Sequence, residues 1–114
     1  MDSILTSIKK LLGITEEYEQ FDDDIIIHIN SVFMTLRQLG VGPAKGYSIS
    51  GKGNTWTEYL PADDPDFQAV KSYVYLKVRI LFDPPSSSAV MEAMNRSIAE
   101  FEWRLNLAAE TNES

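Results

Sequence analysis

The segment from Val70 to Pro85 constrains the fold of this chain more than any other. It reads VKSYVYLKVRILFDPP, so it is apolar and aromatic, with three cations and no carboxylate before Asp83. A helix that buried a single face would not carry large side chains around so much of its circumference. The segment therefore predicts a helix covered on more than one side, either at the centre of a small fold or partly by another chain.

Length and composition indicate one globular domain. We place this domain at residues 1–114, with a polar tail at about 110–114, since 114 residues suffice for one compact core. Apolar residues make up 44% of the chain, and it has no cysteine, which excludes disulfides, thiolate metal sites and thiol catalysis. No apolar run reaches the roughly 18 residues that a membrane span needs, so we expect no membrane partner.

The charge of the chain is unevenly distributed. The formal net charge is −7, which disfavours direct binding to duplex DNA. Carboxylates concentrate in Glu16–Asp24 and Asp63–Asp66, whereas Val70–Phe82 carries only cations. A basic, aromatic element in an acidic molecule suggests self-complementary association, and an ordinary amphipathic helix with solvated cations is the alternative.

The first predicted helix is short and amphipathic. Ser3 can cap it, its apolar side chains lie within Ile4–Leu12, and Gly13 can end it. Lys9 and Lys10 suit the negative C-terminal end of the helix dipole. A helix lying on a membrane surface is the alternative, which the short length and the two cations disfavour.

The second predicted helix begins at Asp22–Asp24, where negative charge favours a helix N-terminus, and ends before Gly40. The adjacent isoleucines Ile25–Ile27 are compatible with a strand as well. The longer helical period favours the helix, and its apolar positions are Ile25, Ile29, Val32, Leu36 and Leu39.

Residues Val41–Thr57 interrupt the helical pattern with glycines, a proline and serines. Tyr47–Ser50 and Asn54–Thr57 alternate weakly, and the Gly-Lys-Gly between them suits a tight turn. We expect a small, mobile β-hairpin or Gly-rich loop that either packs through Ile49 and Trp56 or orders on a partner.

Two more helices follow. The third is expected to begin with Pro65 at its first position and to end at Asp83, because a residue before proline disfavours helical angles. The fourth can be capped within Ser86–Ser88 and continues to about Ala109. The short link at Pro84 favours antiparallel neighbours. The predicted fold class is therefore mainly all-α, a bundle of three to four helices with a β-hairpin or Gly-rich loop between helices 2 and 3.

Gly46–Gly53 matches most of a phosphate-binding P-loop, which requires glycines and a lysine around the phosphates. The match is incomplete, because Gly53 replaces the Ser or Thr that would hold magnesium. The loop also lacks a preceding buried strand and a helix directly after it. A nucleotide-binding protein therefore stays open as an alternative function.

No other pattern predicts chemistry. His28 is the single histidine, so a zinc site is implausible, and a place on the helix surface explains it. Asp22–Asp24 and Asp63–Asp66 fall at predicted helix starts, where capping explains them, and no segment matches a calcium loop. We predict no catalytic residues, no cofactor and no metal, and hence no enzyme.

The aromatic and basic side chains of the third helix are the best candidates for partner contacts. They could stack on single-stranded nucleic acid, but the acidic surroundings favour contacts with protein, and a core role for some is equally compatible. The candidate contact residues are Tyr47, Ile49, Lys52, Trp56, Tyr73, Tyr75, Lys77, Arg79, Trp103 and Arg104.

The order of these parts resembles the small head–tail connector proteins, also called head-completion or adaptor proteins, of tailed bacteriophages and prophages. The resemblance covers nearly the whole chain. It rests on Leu39–Gly42, the Gly-rich loop with Trp56, Val70–Pro85 and Glu100–Asn106.

The resemblance implies a non-enzymatic structural subunit of the virion neck, assembled in the host cytoplasm. Such proteins form a ring, with twelve copies as the expected number, between the portal protein and a tail or stopper protein. DNA passes through the ring without sequence-specific binding. By position, Gly46–Thr57 and the end of the fourth helix would contact neighbouring neck proteins, and the third helix would pack within and between subunits. A helical protein-interaction module is a further alternative.

Overall fold

The computed structural model describes residues 2–113, and helices account for most of them. The helices are α1 (Ile4–Leu11), α2 (Asp22–Gln38), α3 (Trp56–Tyr59), α4 (Phe67–Phe82) and α5 (Ser88–Glu113). The mainly helical fold class is confirmed, and the short α3 comes in addition to the predicted helices. No helix in the described range is both long and apolar enough to cross a bilayer.

Helix α4 lies between two neighbours, with α2 packed on one side and α5 on the other. The side chains of Val70, Val74 and Val78 are buried, as are those of Phe67 and Tyr73. Each such burial stabilises the fold by about 1.5–3 kcal/mol. The two neighbours explain why this segment is apolar around more than one face.

Helices α2 and α4 run antiparallel, since the start of α2 meets the end of α4. The ring of Phe21, just before α2, lies 5.3 Å from the ring of Phe82 in an edge-on arrangement. The imidazole of His28 lies 6.5 Å from the same Phe82 ring. The single histidine thus sits half-buried at the side of the bundle.

Helices α4 and α5 are also antiparallel, as the short link predicts. Tyr73 in the middle of α4 bonds to Glu102 far along α5, whereas Leu76 lies beside Met94, nearer to the start of α5. The Oγ atom of Ser87 accepts a hydrogen bond from the amide of Val90 at 3.3 Å, which confirms a serine cap. Helix α5 continues beyond the predicted Ala109 to Glu113, and the predicted tail residue Ser114 lies outside the described range.

The start of α2 agrees with the sequence prediction, whereas α4 starts later in the chain than predicted. Helix α2 begins at Asp22 and carries three aspartates in its first turn, as predicted. Helix α4 begins at Phe67, and the predicted start at Pro65 is wrong. The reason is a turn in which the amide of Asp64 bonds to the carbonyl of Pro61 and the amide of Asp66 bonds to the carboxylate of Asp64.

Lys9 joins α1 to the start of α2 from a buried position. Only 2% of its side chain is exposed. Its Nζ atom lies 2.8 Å from the carboxylate of Asp22, and it donates to the carbonyls of Glu16 at 3.0 Å and Tyr18 at 2.7 Å. These three partners satisfy the ammonium and hold the acidic segment before α2 in place. Both Lys9 and Lys10 lie in the last turn of α1, as predicted, but Lys10 is exposed whereas Lys9 is buried.

We expect Lys9→Ala to lower the free energy of unfolding by about 3–5 kcal/mol, because it leaves a partly buried carboxylate and two carbonyls without their partner. The neighbouring Lys10→Ala is the matched control and should stay within about 0.5 kcal/mol of the parent. Urea denaturation of both variants measures the difference. Equal, small losses would show that the Lys9 contacts do not stabilise the fold.

Candidate interaction surfaces

The predicted β-hairpin between α2 and α3 is wrong. Within the described residues no strand forms, because the backbone groups that would pair across the hairpin bond elsewhere. The carbonyl of Asn54 accepts from the amide of Ile4 at 3.0 Å, and the amide of Trp56 donates to the carbonyl of Asp2 at 3.0 Å. The second half of the loop therefore pairs with the start of the chain, where Ser3 and Thr55 form the isolated bridge.

The first half of the loop is held by a side chain of α2. The Nδ2 atom of Asn30 donates to the carbonyl of Ile49 at 3.0 Å, and its Oδ1 atom accepts from the amide of Ile49 at 2.7 Å. One amide side chain thus takes both backbone groups that a strand partner would use. The loop packs through Ile49, which is buried, as one of the two sequence-based alternatives expected.

Helix α3 begins with a capping box. The Oγ1 atom of Thr55 accepts from the amide of Glu58 at 3.3 Å, while the Glu58 carboxylate accepts from the amide of Thr55 at 3.2 Å. The pattern Thr-x-x-Glu is visible in the sequence and signals a helix start. It could have shown that this segment is helical rather than extended.

Four aromatic rings join the loop to α2. The ring of Phe33 lies 4.6 Å from Tyr59, 5.2 Å from Tyr47 and 6.3 Å from Trp56. The indole of Trp56 also donates to the hydroxyl of Ser7 at 2.9 Å, which ties the cluster to α1. Gly42 makes room for it, because a Cβ atom there would lie 2.6 Å from the Tyr59 ring and its φ is +86°. The loop is thereby an ordered part of the core.

Tyr47 and Glu58 are coupled at the edge of this cluster. The Tyr47 hydroxyl donates to the Glu58 carboxylate at 2.8 Å. Burial, and then the Glu58 hydrogen bond and charge, raise the pKa of Tyr47 to about 12. The hydrogen bonds from Tyr47, the Thr55 backbone and Asn54 lower the pKa of Glu58. These shifts favour a protonated Tyr47 and an ionised Glu58, which are the states that preserve the hydrogen bond between them.

Three amides of the P-loop-like segment Gly46–Gly53 already have partners within the protein, the first being that of Gly46, which donates to the carbonyl of Pro43. The amide of Ile49 donates to Asn30, and the amide of Ser50 donates to the Oδ1 atom of Asn54 at 2.8 Å. A phosphate cradle needs such amides free and a helix starting directly after the lysine. Helix α3 starts only at Trp56.

The candidate contact residues fall into three groups by exposure. Ile49, Trp56 and Tyr73 are buried, with 4%, 2% and 0% of their surfaces exposed. Four members are partly exposed: Tyr47, Tyr75, Lys77 and Arg79. Three are exposed: Lys52, Trp103 and Arg104. In the single chain a partner can thus reach the partly exposed and the exposed residues. The buried residues Ile49, Trp56 and Tyr73 instead stabilise the fold.

Two of these residues meet in the seam between α4 and α5. The Tyr73 hydroxyl donates to the Glu102 carboxylate at 2.7 Å, and the Nζ atom of Lys77 lies 3.8 Å from the same oxygen. Burial, followed by the hydrogen bond and charge of Glu102, raises the pKa of Tyr73. This seam stabilises the packing of α5 on α4 and leaves the Tyr73 side chain covered.

The two arginines of the set have partners on their own helices. The Nε atom of Arg79 donates to the carbonyl of Asp83 at the end of α4. The guanidinium of Arg104 lies 2.6 Å from the carboxylate of Glu100, and both side chains are more than half exposed. Exposed pairs of this kind contribute about 0–1 kcal/mol, so they leave both arginines available to a partner.

Three large apolar side chains are the most exposed of their kind among the described residues. They are Ile27 and Met34 on α2, at 65% and 64%, and Trp103 on α5, at 65%. The candidate list includes Trp103 but omits Ile27 and Met34. Their spacing of seven residues, on the face opposite Ile25, Ile29 and Val32, is a helical-wheel signal that could have identified them.

The described residues hold no group of three or more histidine, aspartate or glutamate side chains that could bind a metal ion.

Comparison with known proteins gives one match. A family model described as "Phage connector protein" matches residues 4–112. No curated protein and no solved structure matches the chain.

The Tyr47–Glu58 pair predicts a pH dependence. Because the pKa of Tyr47 is raised from 10.0 to about 12, its contribution to stability is complete below pH 10 and is lost as the pH rises towards 12. The contribution of Glu58, whose pKa is lowered, is present above its unfolded value of 4.5 and is lost as the pH falls through the folded value.

We expect Tyr47→Phe to flatten both limbs of the pH profile in urea denaturation. Glu58→Gln should flatten the acid limb and keep most of the alkaline limb, because burial is the largest cause of the Tyr47 shift. An alkaline limb unchanged in Tyr47→Phe would contradict this assignment.

Proposed function

The chain belongs to the phage connector protein family, and we propose that it forms a ring joining the portal protein of the capsid to a tail or stopper protein. The ring extends the channel through which DNA leaves and enters the capsid. The observation that carries the proposal is the family match over residues 4–112, which covers nearly the whole chain. Family membership supports a structural role in the phage neck.

The surface chemistry agrees with a structural subunit. About two thirds of the surfaces of Ile27, Met34 and Trp103 are exposed, and exposed apolar surface is typical of contacts between proteins. The net charge of −7 suits a channel wall along which DNA slides without sequence-specific binding. We place the protein in the virion neck, after assembly in the host cytoplasm, with twelve copies as the expected number.

Two surfaces are proposed to meet the neighbouring neck proteins. One is the loop tip with Lys52, and the other is the second half of α5 with Trp103 and Arg104. Trp and Arg are enriched among the residues that dominate binding energy. The buried candidates Trp56 and Tyr73 serve these surfaces indirectly, because they hold the loop and α5 in position.

The test is to mix the purified protein with the portal protein of the same phage and examine the product by electron microscopy and analytical ultracentrifugation. We expect a ring of this chain bound to the portal. A chain that stays monomeric at high concentration and with its portal would contradict the proposal. Millimolar ATP or GTP with magnesium should leave the melting temperature unchanged, whereas a nucleotide-binding protein would be stabilised.

The two tryptophans separate folding from partner binding. We expect Trp103→Ala to keep the free energy of unfolding within about 0.5 kcal/mol and to weaken binding to the portal or to the next neck protein at least about tenfold. The matched control Trp56→Ala should lower the free energy of unfolding by about 3–5 kcal/mol, because its indole is buried. Urea denaturation and a binding titration measure the two effects. Unchanged binding of Trp103→Ala to both partners would remove Trp103 from the contact.

A further inference from the structure

An apolar groove runs along the outside of the seam between α4 and α5. It is lined by Leu76 from α4 and by Ala89, Val90, Ala93, Met94 and Ser97 from α5. The small side chains of Ala89, Ala93 and Ser97 recur every four residues and line it on α5 together with Val90 and Met94. No charged side chain lines the groove, and 48% of Val90 is exposed to solvent.

An apolar ridge lies on the exposed face of α2. It consists of Ile27 and Met34 on α2, with the small Ser31 between them. These side chains point away from Ile29 and Val32, which are buried. Within one chain, the end of α2 meets the second half of α5, where Asn106 donates to the carbonyl of Leu39 at 3.1 Å, away from the residues of the groove.

The ridge and the groove match in length and shape. Ile27 and Met34 are seven residues apart, about 10 Å along the helix axis, and so are Val90 and Ser97. Helices pack when a row of large side chains on one enters a groove on the other. A ridge with two large side chains and a groove lined partly by small side chains meet this requirement.

The charges at the two ends also match, in one direction only. Asp23 lies one turn before Ile27, and Arg37 lies just after Met34. On the groove, Arg79 lies one turn after Leu76 at the end near Val90, and Glu100 lies beyond Ser97 at the other end. With α2 parallel to α5, Asp23 meets Arg79 and Arg37 meets Glu100. The opposite direction brings Asp23 to Glu100 and Arg37 to Arg79.

We infer that the α2 ridge of one copy docks into the α4–α5 groove of the next copy, with the two helices parallel. This inference rests on the proposed ring, for which it supplies the contact between subunits. A ridge and a groove on one chain form a head-to-tail contact, so every copy offers both surfaces and the contact repeats until the rotation closes. A ridge-to-ridge contact would instead stop at a dimer.

The absence of cysteine makes a cross-linking test direct. In the double variant Met34→Cys/Ser97→Cys, oxidation with the portal protein present should give a ladder of covalent multimers up to the size of the ring. An equimolar mixture of Met34→Cys and Ser97→Cys should give covalent dimers, and neither variant alone should do so. The control Met34→Cys/Val90→Cys, which requires antiparallel helices, should give no ladder.

Four outcomes would overturn the inference. Dimers from Met34→Cys alone would indicate a ridge-to-ridge contact, and a ladder only from Met34→Cys/Val90→Cys would reverse the direction. Rings visible by electron microscopy without the Met34–Ser97 ladder would place the subunit contact elsewhere and leave the proposed function standing. If no ring forms with the portal, the proposed function fails and the inference fails with it.

A charge exchange tests the direction independently. We expect Asp23→Arg to lower the assembly constant about fivefold, the scale of one exposed charge pair. Adding Arg79→Asp to the same chain should restore it, which a simple loss of helix stability would not do. The control Asp63→Arg makes the same change in net charge away from both surfaces and should assemble like the parent at equal ionic strength. Failure of Arg79→Asp to restore assembly would contradict the Asp23–Arg79 contact.

Discussion

The two-sided burial of α4 is the constraint on which the rest of the structure depends. With α2 on one side and α5 on the other, its valines and Tyr73 have no exposed surface of note. This central position leaves an outward face on both α2 and α5, while the end of α2 contacts α5 through the hydrogen bond from Asn106 to the carbonyl of Leu39. Ile27 and Met34 are exposed on α2, and Val90 and Trp103 are exposed on α5.

Polar contacts then hold the connecting segments against this helical core. The ammonium of Lys9 fixes the acidic segment before α2, and the side chain of Asn30 fixes the loop at Ile49. The capping box of Thr55 and Glu58 starts α3, which places Trp56 and Tyr59 against Phe33. The Gly-rich loop is thus held by side chains of the core, and the amides of Ile49 and Ser50 are occupied by Asn30 and Asn54.

Most of the helical framework could be predicted from the sequence, because periodicity, caps and prolines act over a few neighbouring residues. The start of α2 at Asp22 and the serine cap of α5 are examples. The loop could not be predicted in the same way, since its partners Asp2 and Asn30 lie far from it in the chain. Among the candidate contact residues, composition identified the exposed Trp103 and Arg104, but it did not distinguish them from the buried Trp56 and Tyr73.

The sequence by itself determined a small helical bundle, a central apolar helix at Val70–Phe82 and the resemblance to connector proteins. These follow from local pattern and from the order of segments along the chain. Only the tertiary structure decided that the loop forms no hairpin, that Lys9 is buried, and that Ile27 and Met34 face solvent. Exposure and backbone pairing depend on which distant segments pack together, and that choice is made by the whole fold.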